Sequence, residues 1–201
     1  DLWCRLDCMA EDLQRFRTGE VGRLTIGTFQ SVSATVLPLV LGRMRLTHPG
    51  VEIRVFENDL DDQLEVAMAR GELDLSFVVG EIADRYESRH LFDDPFVLVA
   101  RPDQFAPGPV TLAEIAREPM IGQHHNSCQI MNETGLRAHG LEPKYVFRTN
   151  DNVATAAMVR AGMGVAVMPL LCVEPDDPRI SLHPLDPPIP DRSIFIAWRN
   201  G

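Results

Sequence analysis

Two short stretches concentrate the side chains that could do chemistry. Thr28-Phe29-Gln30-Ser31-Val32-Ser33 follows an apolar run at 24–27, and Gln123-His124-His125-Asn126-Ser127-Cys128 follows another at 120–122. A hydroxyl becomes a nucleophile when a base is held against it. No G-x-S-x-G surrounds Ser31, Ser33 or Ser127, and there is no P-loop or G-x-G-x-x-G; Gly162-Met163-Gly164 lacks the third glycine and precedes a strand. His124, His125 and Cys128, with His139, have the right atoms for a metal. Adjacent histidines point apart, however, and no second ligand pair follows at zinc-finger spacing, so no metal and no cofactor is expected. Cys128 lies near a helix start beside two histidines, the surroundings of a reactive thiol, but Cys172 is distant in sequence and a disulfide switch is not expected. What remains is hydrogen bonding. One hydroxyl would cap a helix, and four polar side chains in six residues exceed what a cap requires.

Elements must position these groups, and their order is readable. Strands are expected over 23–27, 51–57, 73–79, 96–100, 120–122, 145–148, 165–168 and 194–198. Helices are expected over 33–47, kinked near Pro38, then to Arg70 with Asp59 or Asp61 as cap, and over 127–139. A short helix starts at Thr111, and another is capped by Asn150 or Asn152 and ends at Ala161. Such alternation argues for α/β sheets, mainly parallel, covered by helices. The run Ala106-Pro107-Gly108-Pro109 separates two series that share a plan: Ile26-Gly27 then a polar loop and serine, Ile121-Gly122 then a polar loop and serine. Two lobes on one plan would set both loops at the carboxyl ends of their strands, where open α/β sheets bind ligands. Helix N-termini on both walls suit a small anionic ligand.

Ahead of the first strand, Leu2, Leu6, Met9, Leu13 and Phe16 follow heptad spacing, and Gly19 ends the run. This fits a linker helix that pairs with another chain. Cys4 and Cys8 fall outside that seam. Four scattered cysteines do not make a secreted disulfide framework, so a reducing, cytoplasmic setting is expected. The net charge of −10 argues against nucleic-acid binding by this piece unaided. No apolar run is long enough to span a bilayer and no signal peptide opens the chain, so no membrane partner is expected. The first residue is not Met, so a preceding region is expected.

Together these residues resemble the effector-binding portion of LysR-type transcriptional regulators. The matching stretches are Thr18-Gly19-Glu20-Val21-Gly22, GRLTIG, VLPLVLGRMRLTHPGVEI, RGELDLSFVVG and VRAGMGVAVMP, in the family's order and across nearly the whole chain. The resemblance implies two Rossmann-like lobes of the type 2 periplasmic-binding-protein kind, with crossover strands at 99–103 and 181–185. It implies a linker helix at 1–19, lobe I at 20–101 with 183–201, and lobe II at 102–182. It implies a winged helix-turn-helix before the linker, dimers that pair into tetramers, and promoter DNA bound only through that missing domain. A small effector, such as a carboxylate, would bind between the lobes. By position its contacts fall on Thr28, Gln30, Ser31, Val79, Gly80, Gln123 and Ser127. Phe29, Ser33, His124, Asn126 and Asn150 complete the candidates from the residue reading, with His124-His125-Asn126 departing from the family pattern. A free-standing solute-binding protein, or an enzyme on the same plan, would need a signal peptide or a positioned base respectively. No enzymatic activity is expected.

Overall fold

The computed structural model describes residues 19, 21–80 and 82–200. The expected linker helix at 1–19, with its heptad seam and Cys4 and Cys8, lies outside them except for Gly19, which is in a turn.

Two mixed sheets carry the fold. The first is ordered β2-β1-β3-β11-β4, from β1 (Val21–Thr28), β2 (Gly50–Glu57), β3 (Leu75–Val79), β4 (Tyr86–Asp94) and β11 (Arg192–Arg199). The second is ordered β6-β10-β5-β9-β7-β8, from β5 (Phe96–Ala100), β6 (Val110–Thr111), β7 (Met120–Gly122), β8 (Tyr145–Arg148), β9 (Val165–Pro169) and β10 (Ser181–Asp186). Each has a parallel trio, β2-β1-β3 or β9-β7-β8, extended by antiparallel pairings, and at the edge of the second sheet β6 joins β10 in parallel.

The second sheet is covered on both faces, as its apolar strands require. Successive side chains of a strand point to opposite faces. Thus Phe96, Leu98 and Ala100 of β5 join Val165 and Val167 of β9 in one core, with Leu136 and both ends of the short helix α4 (Leu112–Ile115). Val99 joins Ala166, Met168 and Val159 in the other. A third core lies on the first sheet, where Ile26, Phe77 and Ile194 meet Val32, Leu37, Leu64 and Met68 from its helices.

Sheet membership moves the crossovers. β5 and β10 belong to the second sheet, so the chain passes between sheets at Pro95 and between Asp186 and Arg192, not at 99–103 and 181–185. Proline has no N–H to continue a ladder, which suits the first crossing. β4 escaped the sequence pattern because YESRHLFDD is charged and exposed through most of its length. The expected single helix at 33–47 is two: α1 (Gln30–Ala34) and α2 (Val36–Thr47), broken at Thr35. Pro38 sits in the first turn of α2, where its missing N–H costs nothing, so the break falls just before the proline instead of at it.

Candidate functional site

The first wall is built where β1 hands over to α1. Thr28 ends β1 fully buried, and its hydroxyl donates to the Phe29 carbonyl at 3.4 Å while accepting from Ser33 Oγ at 3.5 Å. These two hydroxyls brace the turn from inside. The N-cap of α1 is Phe29, with no side-chain cap. The helix-start N–H of Gln30 donates instead to Asp59 Oδ1 at 3.2 Å. Asp59 therefore serves α1 and not the helix that follows it, α3 (Asp61–Ala69), whose N-cap is Leu60.

The second wall repeats this plan with amides. Asn126 caps α5 (Ser127–Ala138), accepting from Gln129 N at 2.8 Å, and its Nδ2 donates to Gln123 Oε1 at 3.1 Å. Gln123 Nε2 donates to Asn152 Oδ1 at 3.3 Å. Asn152 opens α6 (Asn152–Arg160), which Asp151 caps. The backbone N–H of Asn152 then donates to Gln30 Oε1 at 3.1 Å, tying the two walls directly together.

Equivalent glycines allow both turns. A Cβ on Gly27 would strike Ser76 Oγ, and one on Gly122 would sit 2.6 Å from the Tyr145 ring. Close approach of a neighbour, rather than an unusual φ, calls for glycine at both strand ends.

The floor is a buried cation. Arg192, the first residue of β11, is 2% exposed. Its Nη2 donates to Asp94 Oδ2 at 2.5 Å and to Ser31 Oγ at 3.0 Å, its Nη1 to Cys128 Sγ at 3.2 Å, and its guanidinium lies 5.2 Å from the Phe29 ring centroid. Its Nε is buried with no hydrogen-bond partner among the described residues. Burial works against the Arg192 charge, but Cys128, Cys172 and Asp94 outweigh it and raise the pKa above the ordinary value. Burial pushes the Cys172 thiol up to about 12, with Arg192 opposing. Asp94 Oδ1 also accepts from Leu171 N at 3.0 Å, fixing the 3₁₀ turn (Leu170–Cys172) that carries Cys172.

Walls and floor line a small cleft. It holds about 30 Å³ of water-sized space, close to one water molecule's share of liquid volume. Ser31 Oγ faces a guanidinium, which has no lone pair to take a proton. Among the described residues, no cluster of three or more His, Cys, Asp or Glu could hold a metal ion.

A polar cleft between two sheets of this topology has a counterpart in sequence. A family model for the LysR substrate binding domain matches residues 17–201. The chain belongs to that family. Among curated relatives, the probable HTH-type transcriptional regulator LrrA of Synechococcus elongatus is 27% identical over 181 residues, covering 88% of this chain and 59% of its own. The chain thus spans about three fifths of that relative's length. HinK, a LysR family regulator of Pseudomonas aeruginosa, superimposes with a TM-score of 0.81 at 22% identity, covering 98% of this chain and 70% of its own. The Synechocystis CcmR regulatory domain, solved in complex with 2-PG, gives 0.80 at 19%, covering 90% and 88%. At these identities the two structures establish the fold.

Within this LysR domain, Phe29, Gln30, Ser31, Val79, Gln123, Asn126, Ser127 and Asn150 line the cleft. Thr28 and Ser33 lie behind the wall. Gly80 sits beside it, its N–H donating to the Ser193 carbonyl. The backbone N–H of His124 is held by Asn150 Oδ1, and the residue lines a separate surface pocket with His125, Glu133 and Arg137. The remaining lining comes from Asp59, Cys128, Asn152, Cys172 and Arg192. Asp59 and Asn152 were legible only as caps. Arg192 follows the run Pro187-Pro188-Ile189-Pro190-Asp191, which gives no sign of a site.

Proposed function

We propose that this domain is the ligand-sensing part of a DNA-binding transcriptional regulator, with a small effector held between the two sheets. The observation that carries this reading is the buried Arg192, whose Nε has no acceptor among the described residues, at the floor of a cleft walled by hydrogen-bonding side chains. A carboxylate supplies such an acceptor. Asp94 already balances the Arg192 charge, so the ligand is held mainly by directed hydrogen bonds from Arg192, Gln30, Gln123 and Asn152.

Beside Arg192 the cleft holds only about 30 Å³ of free space, so in this reading the Gln30–Asn152 bond opens and the walls part to admit an organic acid. In this reading the lobes reclose on the ligand, and the change alters how subunits of an oligomer sit on DNA. Self-association runs through the linker helix and the domain itself. DNA contact belongs to a domain preceding the chain, and the protein works in the cytoplasm without an enzymatic step.

Thermal-shift screening of small carboxylates, 2-PG among them, tests the reading. A stabilising ligand should bind Ser31→Ala roughly fivefold more weakly, the worth of one hydrogen bond near 1 kcal/mol. Equal stabilisation of wild type, Ser31→Ala and Gln30→Ala would place the ligand elsewhere.

A further inference from the structure

A second space adjoins the cleft, and it is large enough for an organic ligand. It holds about 490 Å³, within the range of small-molecule sites. Gln30, Ser31, Asn152 and Cys172 line both this chamber and the Arg192 cleft, so they form the partition between them. The Gln30–Asn152 hydrogen bond is part of that partition. Beyond it the chamber is walled by Ala34 at the end of α1, Val153 near the start of α6, and Leu171, Val173 and Pro175. Val153 is 70% exposed. A single exposed valine is ordinary, but one that shares a concave space with four other apolar residues offers a contact surface.

The energetics of the cleft floor call for such a surface. Asp94 already neutralises Arg192, so an incoming carboxylate gains little net attraction there and gives up its hydration. Hydrogen bonds at the floor offset part of that loss. Burying apolar surface adds roughly a fourfold gain in affinity for each methylene. The chamber also gives the head group a direction. Glu174 lines it from an exposed position and repels a carboxylate left outside. At the partition stands Ser31, whose Oγ accepts from Arg192 Nη2 at 3.0 Å. A carboxylate that reaches Ser31 is therefore next to the guanidinium.

We propose that the effector is an amphipathic monocarboxylic acid whose apolar body occupies this chamber while its carboxylate passes the Gln30–Asn152 partition to Arg192. The proposal rests on reading the Arg192 cleft as the sensing site. Only the head group then has to enter the small cleft. The Gln30–Asn152 bond opens to admit it, and the chamber already has room for the rest. Ala34 belongs to α1 of the first wall and Val153 to α6 of the second. An apolar body lying between them touches both walls, so its length and shape set how the walls rest against each other. A dicarboxylate of equal length would put its second charge among these apolar residues and bind more weakly.

The test titrates the melting temperature with straight-chain monocarboxylates from acetate to hexanoate, each yielding an apparent affinity. Affinity should rise roughly fourfold for each added methylene, and adipate, charged at both ends, should lose the gain that hexanoate shows. Val153→Asp puts a charge into the chamber, and Ala34→Trp fills it. Both positions are exposed, so both variants should fold, and melts without ligand check this. Each should flatten the dependence on chain length. A dependence that survives undiminished in either folded variant, or adipate binding as tightly as hexanoate, overturns the proposal. Ser31→Ala separates this result from the effector reading itself. If acids of every length bind alike and Ser31→Ala weakens them all, only the chamber fails and the effector stays in the cleft. If no acid of any length stabilises the wild-type protein, the effector reading falls as well.

Discussion

Arg192 Nη2 and Asp94 Oδ2 lie 2.5 Å apart, each side chain 2% exposed, at paired positions of β11 and β4. These are the residues at which the chain crosses between sheets: Asp94 ends β4 just before β5, and Arg192 opens β11 after β10. One buried ion pair therefore clamps both crossings and also forms the cleft floor. Removing one member of such a pair leaves an uncompensated charge, at a cost of about 3–5 kcal/mol. Asp94→Asn should lower the urea midpoint accordingly, and Asp94→Leu with Arg192→Met should recover much of the loss. A midpoint for Asp94→Asn within 1 M of wild type, at an ordinary slope of about 1–3 kcal/mol per M, would show that the crossings are held by other contacts.

The sequence revealed the walls and concealed the floor. β1 and β7 each read as an apolar run, a glycine and a polar loop, so both loops could be placed at strand ends. Periodicity reports which way a side chain points only within a regular element. It could not show that Thr28 and Ser33 turn inward to brace each other, or that His124 leaves the cleft. Ser31 and Arg192 lie 161 positions apart, and only the β3–β11 pairing brings them together. Cys128 and Cys172 line one cleft for a similar reason, through β7 and β9 lying side by side. Long-range pairing of this kind leaves no local pattern to read.

The Gln30–Asn152 tie should be measurable as a local opening. The Asn152 N–H donates to the Gln30 side chain, so Gln30→Ala removes its acceptor and about 1 kcal/mol of closure. Hydrogen exchange at the Asn152 amide should accelerate roughly fivefold, with global stability little changed because Gln30 is only partly buried. Unchanged exchange there would mean that the walls stay together without this bond.

Glycines at two positions should respond in opposite directions to alanine. At Gly122 the new methyl meets the Tyr145 ring at 2.6 Å and Gln129 Oε1 at 3.2 Å. Overpacking of this kind costs about 1–3 kcal/mol, and it disturbs the Gln129 side chain that holds the Gln123 N–H at 2.7 Å. Gly122→Ala should therefore lose both stability and ligand response. Gly42 lies inside α2 with nothing within 4 Å of its Cβ position. Gly42→Ala should gain up to about 1 kcal/mol by restricting the unfolded chain and favouring the helix. Thermal melts of the two variants, moving in opposite directions, check both assignments.

Acid should release a second anchor, at Asp177. Its Oδ1 accepts from Arg179 N at 3.0 Å and Nε at 2.8 Å, and its Oδ2 from Arg179 Nη2 at 2.9 Å and Arg160 Nη1 at 3.0 Å. Hydrogen bonds from the Arg179 side chain, then its backbone, hold the carboxyl well below its ordinary value of 3.8, and the charge of Arg160 adds to this. A group whose folded pKa is depressed contributes stability above its unfolded pKa and loses it as pH falls through the folded value. Asp177→Asn should therefore unfold more readily than wild type at pH 7, and the two should converge as pH drops below 3.8. Urea unfolding followed from pH 7 to pH 3 reads the difference directly. A gap that stays constant across that range would mean that the carboxylate's charge contributes nothing and that shape or packing at residue 177 sets the loss. Because Arg160 ends α6, which Asn152 begins, the charge-dependent outcome would also tie the seating of the second wall to pH.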